Sequence, residues 1–352
     1  MITGGRLQHV TQQLQEELYE TDKDGWLLLP YLLGRRLLHL HSQGGQMSKL
    51  KIGLAHDMDY LIFSAMSASE EEMDWGGDVW TLSCDHNKAR DVLFGTIEKI
   101  KADIAGQLKR KFKLTPDKYE FVDLCILSGD DNWRKEVLET YKANRKGKRK
   151  PVGYPDFCKG IMDHFSERSF KWHGVEGDDV CGILMTNPGL AGCDRVISVS
   201  CDKDFNTVPG YFFWLTQMEL IKNDEETANL NHFYQTLKGD TTDGYGGVPG
   251  VGEAFSGGLW EWLKNPEYYY QTTKVMKSGA RKGEVVEYWT SCAVNPDDYA
   301  PGEVPTLWDC MVQLAEKQGM SEEDLIVQAQ VARILRWSDW DHEAKKPILW
   351  RP

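Results

Sequence analysis

Residues 51–57 read KIGLAHD, residues 122–130 VDLCILSGD and residues 196–204 VISVSCDKD. Each is a short apolar run that stops on acidic residues. Runs of this length, closed by polar turns, predict strands covered on both faces, as in parallel sheets. Lys51–Ala55, Val122–Ser128 and Val196–Ser200 are therefore expected as strands, with Ser169–His173 and Tyr211–Leu215 as further candidates. Val92–Leu108, Asp178–Met185 and Glu225–Lys238 carry helical spacing. Short strands alternating with helices predict an α/β fold: a mostly parallel sheet flanked by helices.

The flanking segments differ in character. Residues 1–46 form an N-terminal extension of unassigned role, in which a polar helical run (Thr11–Glu20) precedes a Leu-rich one, and Gly44-Gly45 sets it off from Met47. The glycine-rich stretch Gly239–Gly252 opens a second, smaller module. The tail from about Thr306 reads as helical, with Ser321, Glu323 and Asp324 marking a helix start. The apolar run Trp26–Leu33 is broken by Pro30 and is too short to span a bilayer. It follows Asp22 and Asp24 rather than a basic region, which argues against a secretory signal. The eight cysteines include no C-x-x-C pair, so reduced thiols, a cytoplasmic location and no membrane partner are expected.

The acids carry the chemistry. In parallel sheets, ligands bind outside the carboxyl ends of the strands. Three candidate strands end there on Asp57, on Asp130 and on Asp202 with Asp204; Glu176, Asp178 and Asp179 open a helix, and Asp240 and Asp243 open the glycine-rich module. Any one group reads equally well as a helix cap or an Asp-rich turn. Nine carboxylates sharing one cavity would need cations, because like charges oppose one another's ionisation. Oxygen donors without His or Cys select hard ions, Mg²⁺ or Mn²⁺, and two such ions suit phosphodiester cleavage.

The bulk charge points elsewhere: 41 Lys and Arg against 54 Asp and Glu give −13, unusual for a nucleic-acid binder. Gathering nine of the acids in one site removes the objection. Residues 134–150, RKEVLETYKANRKGKRK, then stand out with eight basic residues against two glutamates. Arg134, Lys135, Lys142, Arg145 and Lys146 lie in this run directly after the Asp130 strand, and Trp133 and Tyr141 interleave it, a composition suited to phosphate contact and base stacking. The turn GGVPGVG at 246–252 could present backbone N–H groups to a phosphate.

Taken together, D-x-D at 57–59, YKANR at 141–145, EGDD at 176–179, CDKDF at 201–205 and GDTTDGYGGVPGVG at 239–252 resemble flap-endonuclease-type 5′-nucleases. DNWRKE (131–136), ILRW (334–337) and LWRP (349–352) resemble the phage-encoded, double-strand-specific 5′→3′ exonucleases among them. The resemblance covers residues 49–352. It implies a twisted, mostly parallel sheet of the 5′-nuclease, PIN-like kind within a core spanning 47–235, with a helical arch over 134–165. It also implies a helix-three-turn-helix DNA-binding module over 236–290 and a helical C-terminal region, 291–352, packing on the core.

By the same resemblance Asp57, Asp130 (or its neighbour Asp131), Glu176 and Asp178 would hold one divalent ion. Asp179, Asp202, Asp204 and Asp243 would hold a second, with Asp240 outside them. Lys142 and Arg145 would contact the scissile phosphate, with Tyr141 stacking nearby. Arg134, Lys135 and Lys146 would lie along the DNA, and Gly247, Gly250 and Gly252 would grip the duplex backbone, where the family binds K⁺ through carbonyls. The implied activity is metal-dependent 5′→3′ hydrolysis of duplex DNA, with flaps and RNA–DNA hybrids also cut, in phage replication, recombination and host-DNA breakdown. Met58 and Gly244 stand where the family commonly has Gly and Asn. Two other readings compete: a haloacid-dehalogenase-like phosphatase using Asp57, and a non-catalytic DNA-structure-binding protein.

Overall fold

A computed structural model describes residues 48–145, 147–300 and 302–352, so the expected extension 1–46 and Lys146 lie outside the described residues. The chain enters through β1 (Leu50–Asp57), in which only Lys51 is exposed. Helix α1 (Met58–Ser67) follows at once, because the Asp57 carboxylate accepts from the Tyr60 amide and caps it. An antiparallel hairpin, β2 (Glu70–Asp74) and β3 (Trp80–Cys84), then leads to the long helix α2 (His86–Phe112). Asp85 caps α2 through the Asn87 and Lys88 amides, and Ala89, Leu93, Ile97, Ile100, Ile104 and Leu108 form its buried stripe. Next come β4 (Tyr119–Ile126), the short α3 (Arg134–Val137), α4 (Tyr154–Phe165), β5 (Ser169–Phe170), α5 (Gly177–Thr186), β6 (Arg195–Ser200), β7 (Gly210–Trp214) and β8 (Glu219–Asn223).

These strands make one six-stranded sheet in the order β5-β4-β1-β6-β7-β8, parallel throughout except for β8. In the central register, His56 of β1 lies opposite Cys125 of β4 and Val199 of β6. Stripes from α1, α2 and α4 cover one face, and Val180, Cys181, Ile183 and Leu184 of α5 cover the other. Each fully buried Leu, Ile or Phe contributes about 1.5–3 kcal/mol, so the two apolar layers supply the dominant favourable term. The strand order reverses between β1 and β6, which opens a crevice at their carboxyl ends.

A third cluster gathers the rest of the chain: α6 (Glu225–Lys238), α7 (Leu259–Lys264), the β9 (Glu267–Val275) and β10 (Val285–Ala293) hairpin, α8 (Leu307–Lys317) and α9 (Glu322–Ala332). Thr306 and Ser321 cap the last two helices through the Asp309 and Asp324 amides. The elements differ from expectation in several places. Neither β2–β3 nor β9–β10 is expected from the sequence pattern, and the expected helical region 291–352 also holds a short antiparallel pair, Trp340–Asp341 with Lys346–Pro347. The expected helical arch over 134–165 is α-helical only in α3 and α4. Within 236–290, the first helix starts back at Glu225, and the region after α7 is the β9–β10 ribbon rather than helix. The aromatic and β-branched residues among YYYQTTKV at 268–275 favour an extended backbone there.

The C-terminal residues 333–335 lie against α5. A Cβ on Gly182 would fall 2.4 Å from the Leu335 carbonyl oxygen and 2.8 Å from Ile334 Cγ2. Gly→Ala inside a helix ordinarily stabilises by about 0.5–1 kcal/mol. Here Gly182→Ala is expected to destabilise by about 1–3 kcal/mol through overpacking, read as a lower midpoint in thermal unfolding. A midpoint at or above the parent's would show that the tail does not seat on α5.

Candidate active site

The crevice at the β1/β6 reversal collects the acids. Asp57 closes β1, and its second carboxylate oxygen accepts from the Ser200 hydroxyl at the end of β6, 2.9 Å away. Two residues on, Asp202 caps a 3-10 turn by accepting from the Asp204 amide at 2.8 Å. Glu176 and Asp178 come in on the N-terminal turn of α5, and Asp243 arrives from the turn after α6. Glu176, Asp178, Asp202, Asp204 and Asp243 line one cavity of about 20 Å³, room for about one water-sized particle, with Lys142 beside them.

Burial and mutual repulsion dominate the electrostatics. Burial, then Asp59 and Asp202, push the Asp57 carboxyl up to about 6. Burial and Asp202 push Asp204 up to about 7, although Lys203 draws it down. Asp178 lies well above the usual carboxylate range through burial, Asp57 and Asp202, and Asp202 is raised by burial and by Asp243. Glu176 behaves oppositely: burial opposes its charge, but Lys142 and Arg134 outweigh burial and hold it at about 2. Lys142 Nζ donates to Glu176 at 2.6 Å and stands 3.6 Å from Asp243, while Arg145 pairs with Asp243. Among the described residues, no three acidic, His or Cys side chains surround a single point closely enough to cage an ion. Lys142, Arg145, Arg134 and Lys203 are the cations that pair with the cluster, and the donor set, carboxylate oxygens only, fits hard divalent ions.

Residues 140–145 are positioned by the turn at 240–245. Lys142 adopts a left-handed backbone, φ 51°, with its amide donating to the Asp243 carbonyl at 2.8 Å. The Thr140 hydroxyl donates to the Gly244 carbonyl and Asn144 to that of Thr242. A Cβ at position 244 would lie 2.4 Å from the Thr140 carbonyl oxygen, and φ there is +83°, so only Gly fits where an Asn is common.

Five expectations require correction. Asp179, expected as a metal ligand, is fully buried and saturated: both its oxygens pair with Arg134 at 2.6 and 2.7 Å, and it also accepts from Trp133 Nε1 and from the amides of Glu176 and Leu335. Arg134, expected along the DNA, is 2% exposed and spends its remaining donors on Glu176 and the carbonyls of Val331 and Arg333. Tyr141, expected to stack near the substrate, is buried, with its hydroxyl donating to Glu176 at 2.9 Å and the charges of Arg134 and Lys142 over its ring. Gly247, expected to grip DNA, donates its amide to Gln328 and packs against Gly239 so closely that no Cβ fits. Asp130 stays out of the buried group; its side chain is 81% exposed and pairs with Lys171 at 2.6 Å.

The other expected residues stand at the surface around the cavity. Asp130 and Asp131 line an open groove of about 460 Å³ together with Lys135, Lys142, Arg145 and Glu176. Asp240 is half-buried; burial raises its carboxyl, but the Thr242 amide and Lys203 bring it net below the usual range. Gly250 and Gly252 are exposed in the turn. Sequence pattern does not reveal two supporting partners: Ser200, and Gln235, which donates to Asp204 at 2.6 Å. Asp59 of the D-x-D stretch accepts from the Ser128 amide, and Tyr245 of the glycine-rich stretch stands in the cavity wall. A serine two residues before Asp202, or a glutamine five before Asp240, carries no signal of its own.

No protein-family model matches the chain. It is 38% identical over 301 residues to a protein of Escherichia phage T7 named Exonuclease, covering 85% of this chain and 93% of that one. It is 37% identical over 301 residues to an Exodeoxyribonuclease of Enterobacteria phage T3, with 85% and 92% covered. Among solved structures, the T5 D15 protein co-crystallised with metal ions aligns with 81% of this chain and 89% of its own, at 15% identity and a TM-score of 0.42. With identity near two in five across almost the whole length of both curated relatives, the chain belongs to the phage exonucleases.

Proposed function

We propose that the protein hydrolyses phosphodiester bonds of duplex DNA in the 5′→3′ direction, using two divalent ions, Mg²⁺ or Mn²⁺, at the β1/β6 crevice. The observation that carries this is the convergence of Glu176, Asp178, Asp202, Asp204 and Asp243 on one cavity, with Lys142 and Arg145 among their counter-charges. Flaps and RNA–DNA hybrids with a free 5′ end are the further substrates, and the host cytoplasm is the setting. K⁺ would sit at the exposed 250–252 turn. The competing phosphatase reading lacks support, because family membership follows the nucleases.

Asp57, Glu176, Asp178, Asp202, Asp204 and Asp243 would hold the ions, with Asp131 of the groove beside them. Such ions lower the pKa of water and stabilise charge on the attacking and leaving oxygens. The chain's own residues do the rest. Lys142 and Arg145 border the 460 Å³ groove, so a phosphate entering there exchanges with Glu176 and Asp243 for their charge. Preorganised cations of this kind stabilise the extra negative charge of a pentavalent phosphorus without reorganising during the reaction. Ser200 and the Tyr60 amide keep the Asp57 oxygens aimed, and Gln235 does so for Asp204. Arg134 acts differently, holding α5 and the tail around the site while facing no solvent.

Three outcomes test this division. Asp202→Ala, or chelation with EDTA, should abolish release of a 5′ label from duplex DNA, and full activity in either case would refute the proposal. Lys142→Ala should lower kcat by about 10²–10³ with the thermal midpoint little changed. Arg134→Ala should instead cost about 3–5 kcal/mol of stability in denaturant unfolding, since it strands the buried Asp179 charge. A stable Arg134→Ala protein with selectively reduced kcat would show that this residue acts on substrate after all.

A further inference from the structure

The β9–β10 hairpin leaves most of its length in solvent. Nine residues pair with nine, from Glu267 with Ala293 to Val275 with Val285, so the ribbon runs about 30 Å at the rise of an extended chain. Its base is anchored. Tyr269 is buried in the same apolar cluster as Val248 and Val251 of the glycine-rich turn, with Lys317 Nζ 4.0 Å over its ring. Glu267 accepts there from the hydroxyls of Tyr269 and Ser291. The ribbon and the glycine-rich turn are therefore parts of one core.

Beyond the base, alternation places Tyr270, Thr272 and Lys274 on one face, opposite Thr290, Tyr288 and Val286. Tyr270 and Tyr288 are exposed, and Lys274 Nζ lies 4.5 Å over the Tyr288 ring. The tip carries Lys274, Lys277, Arg281 and Lys282 with no acid before Glu284, which pairs with Arg281 at 2.6 Å. The second exposed hairpin, β2–β3, has the opposite character: Glu71, Glu72, Asp74 and Asp78 surround its tryptophans and would repel a phosphate backbone.

We propose that the β9–β10 ribbon is a second duplex-binding element, separate from the catalytic crevice. A two-stranded ribbon fits the major groove of B-DNA, about 12 Å wide, and a basic tip with flanking tyrosine and threonine hydroxyls meets phosphate oxygens without reading sequence. The ribbon holds the duplex while the crevice cuts it, a role that rests on the DNA-nuclease reading above.

The test is binding of full-length protein to a 5′-labelled DNA duplex in EDTA, followed by fluorescence anisotropy across a salt series. The variant K274A/K277A/R281A/K282A should bind about tenfold more weakly at 0.15 M salt, and the slope of log Kd against log salt should fall by about one for each phosphate no longer neutralised. Its kcat at saturating DNA should equal the parent's, and K274R/K277R/K282R should bind as the parent does. Parent-like Kd and salt slope in the alanine variant would overturn the proposal, including in favour of a ribbon that docks protein. A parent chain that binds duplex through the ribbon but never cuts it with Mg²⁺ would refute the nuclease reading alone. One that binds no duplex would refute both.

Discussion

Arg134 and Asp179 are both out of water, and neither could be there without the other. Transferring a lone guanidinium or carboxylate into the interior costs several kcal/mol, and only the paired, fully hydrogen-bonded arrangement offsets this. The pair joins three stretches of chain: α3, the first turn of α5, and the tail at 331–335, whose carbonyls take guanidinium donors. The walls of the acid-lined cavity hang from this junction. Val331, Ala332 and Ile334 form its apolar side, and Glu176 is held beside it by the same arginine.

With that junction in place, the site is a problem in charge balance. Acids gathered at strand ends push one another toward protonation, and the chain answers with basic side chains: Arg134 and Lys203 beside Glu176 and Asp204, and Lys142 and Arg145 at the groove. The last two are shared between roles. Lys142 and Arg145 neutralise Glu176 and Asp243 in the structure as it stands, and they face the groove a nucleic-acid backbone would enter. An acidic protein of charge −13 can thus present a locally positive doorway.

The parallel sheet was legible because buried strands read as short apolar runs. Val196–Ser200 lies wholly within β6, and Glu225–Lys238 coincides with α6. Asp57, Asp202 and Asp204 were legible because topology fixes where strand ends meet, whereas Asp130, four residues past β4, pairs with Lys171 outside the buried group. What pattern could not show is which member of an acidic cluster faces the cavity. Asp178 and Asp179 are neighbours on one helical turn, about 100° apart, so one enters the cavity and the other turns into the core. The same ambiguity assigned Arg134 and Tyr141 to the surface, since a basic, aromatic run looks identical whether its side chains meet DNA or meet buried carboxylates. The ribbon at 267–293 escaped for another reason: its strands bury little, so hydrophobic periodicity is faint there.

The Thr140 to Gly244 hydrogen bond closes a loop of 104 positions, and the Arg134 bond to the Arg333 carbonyl closes one of 199. Pairings of such separation carry a large loop-closure cost and form late, after local helices and neighbouring strands have docked. The seated lysine and the tail wall therefore depend on contacts between stretches far apart in the sequence, so loosening either the 240–245 turn or residues 331–335 disturbs the whole cavity rather than one edge of it.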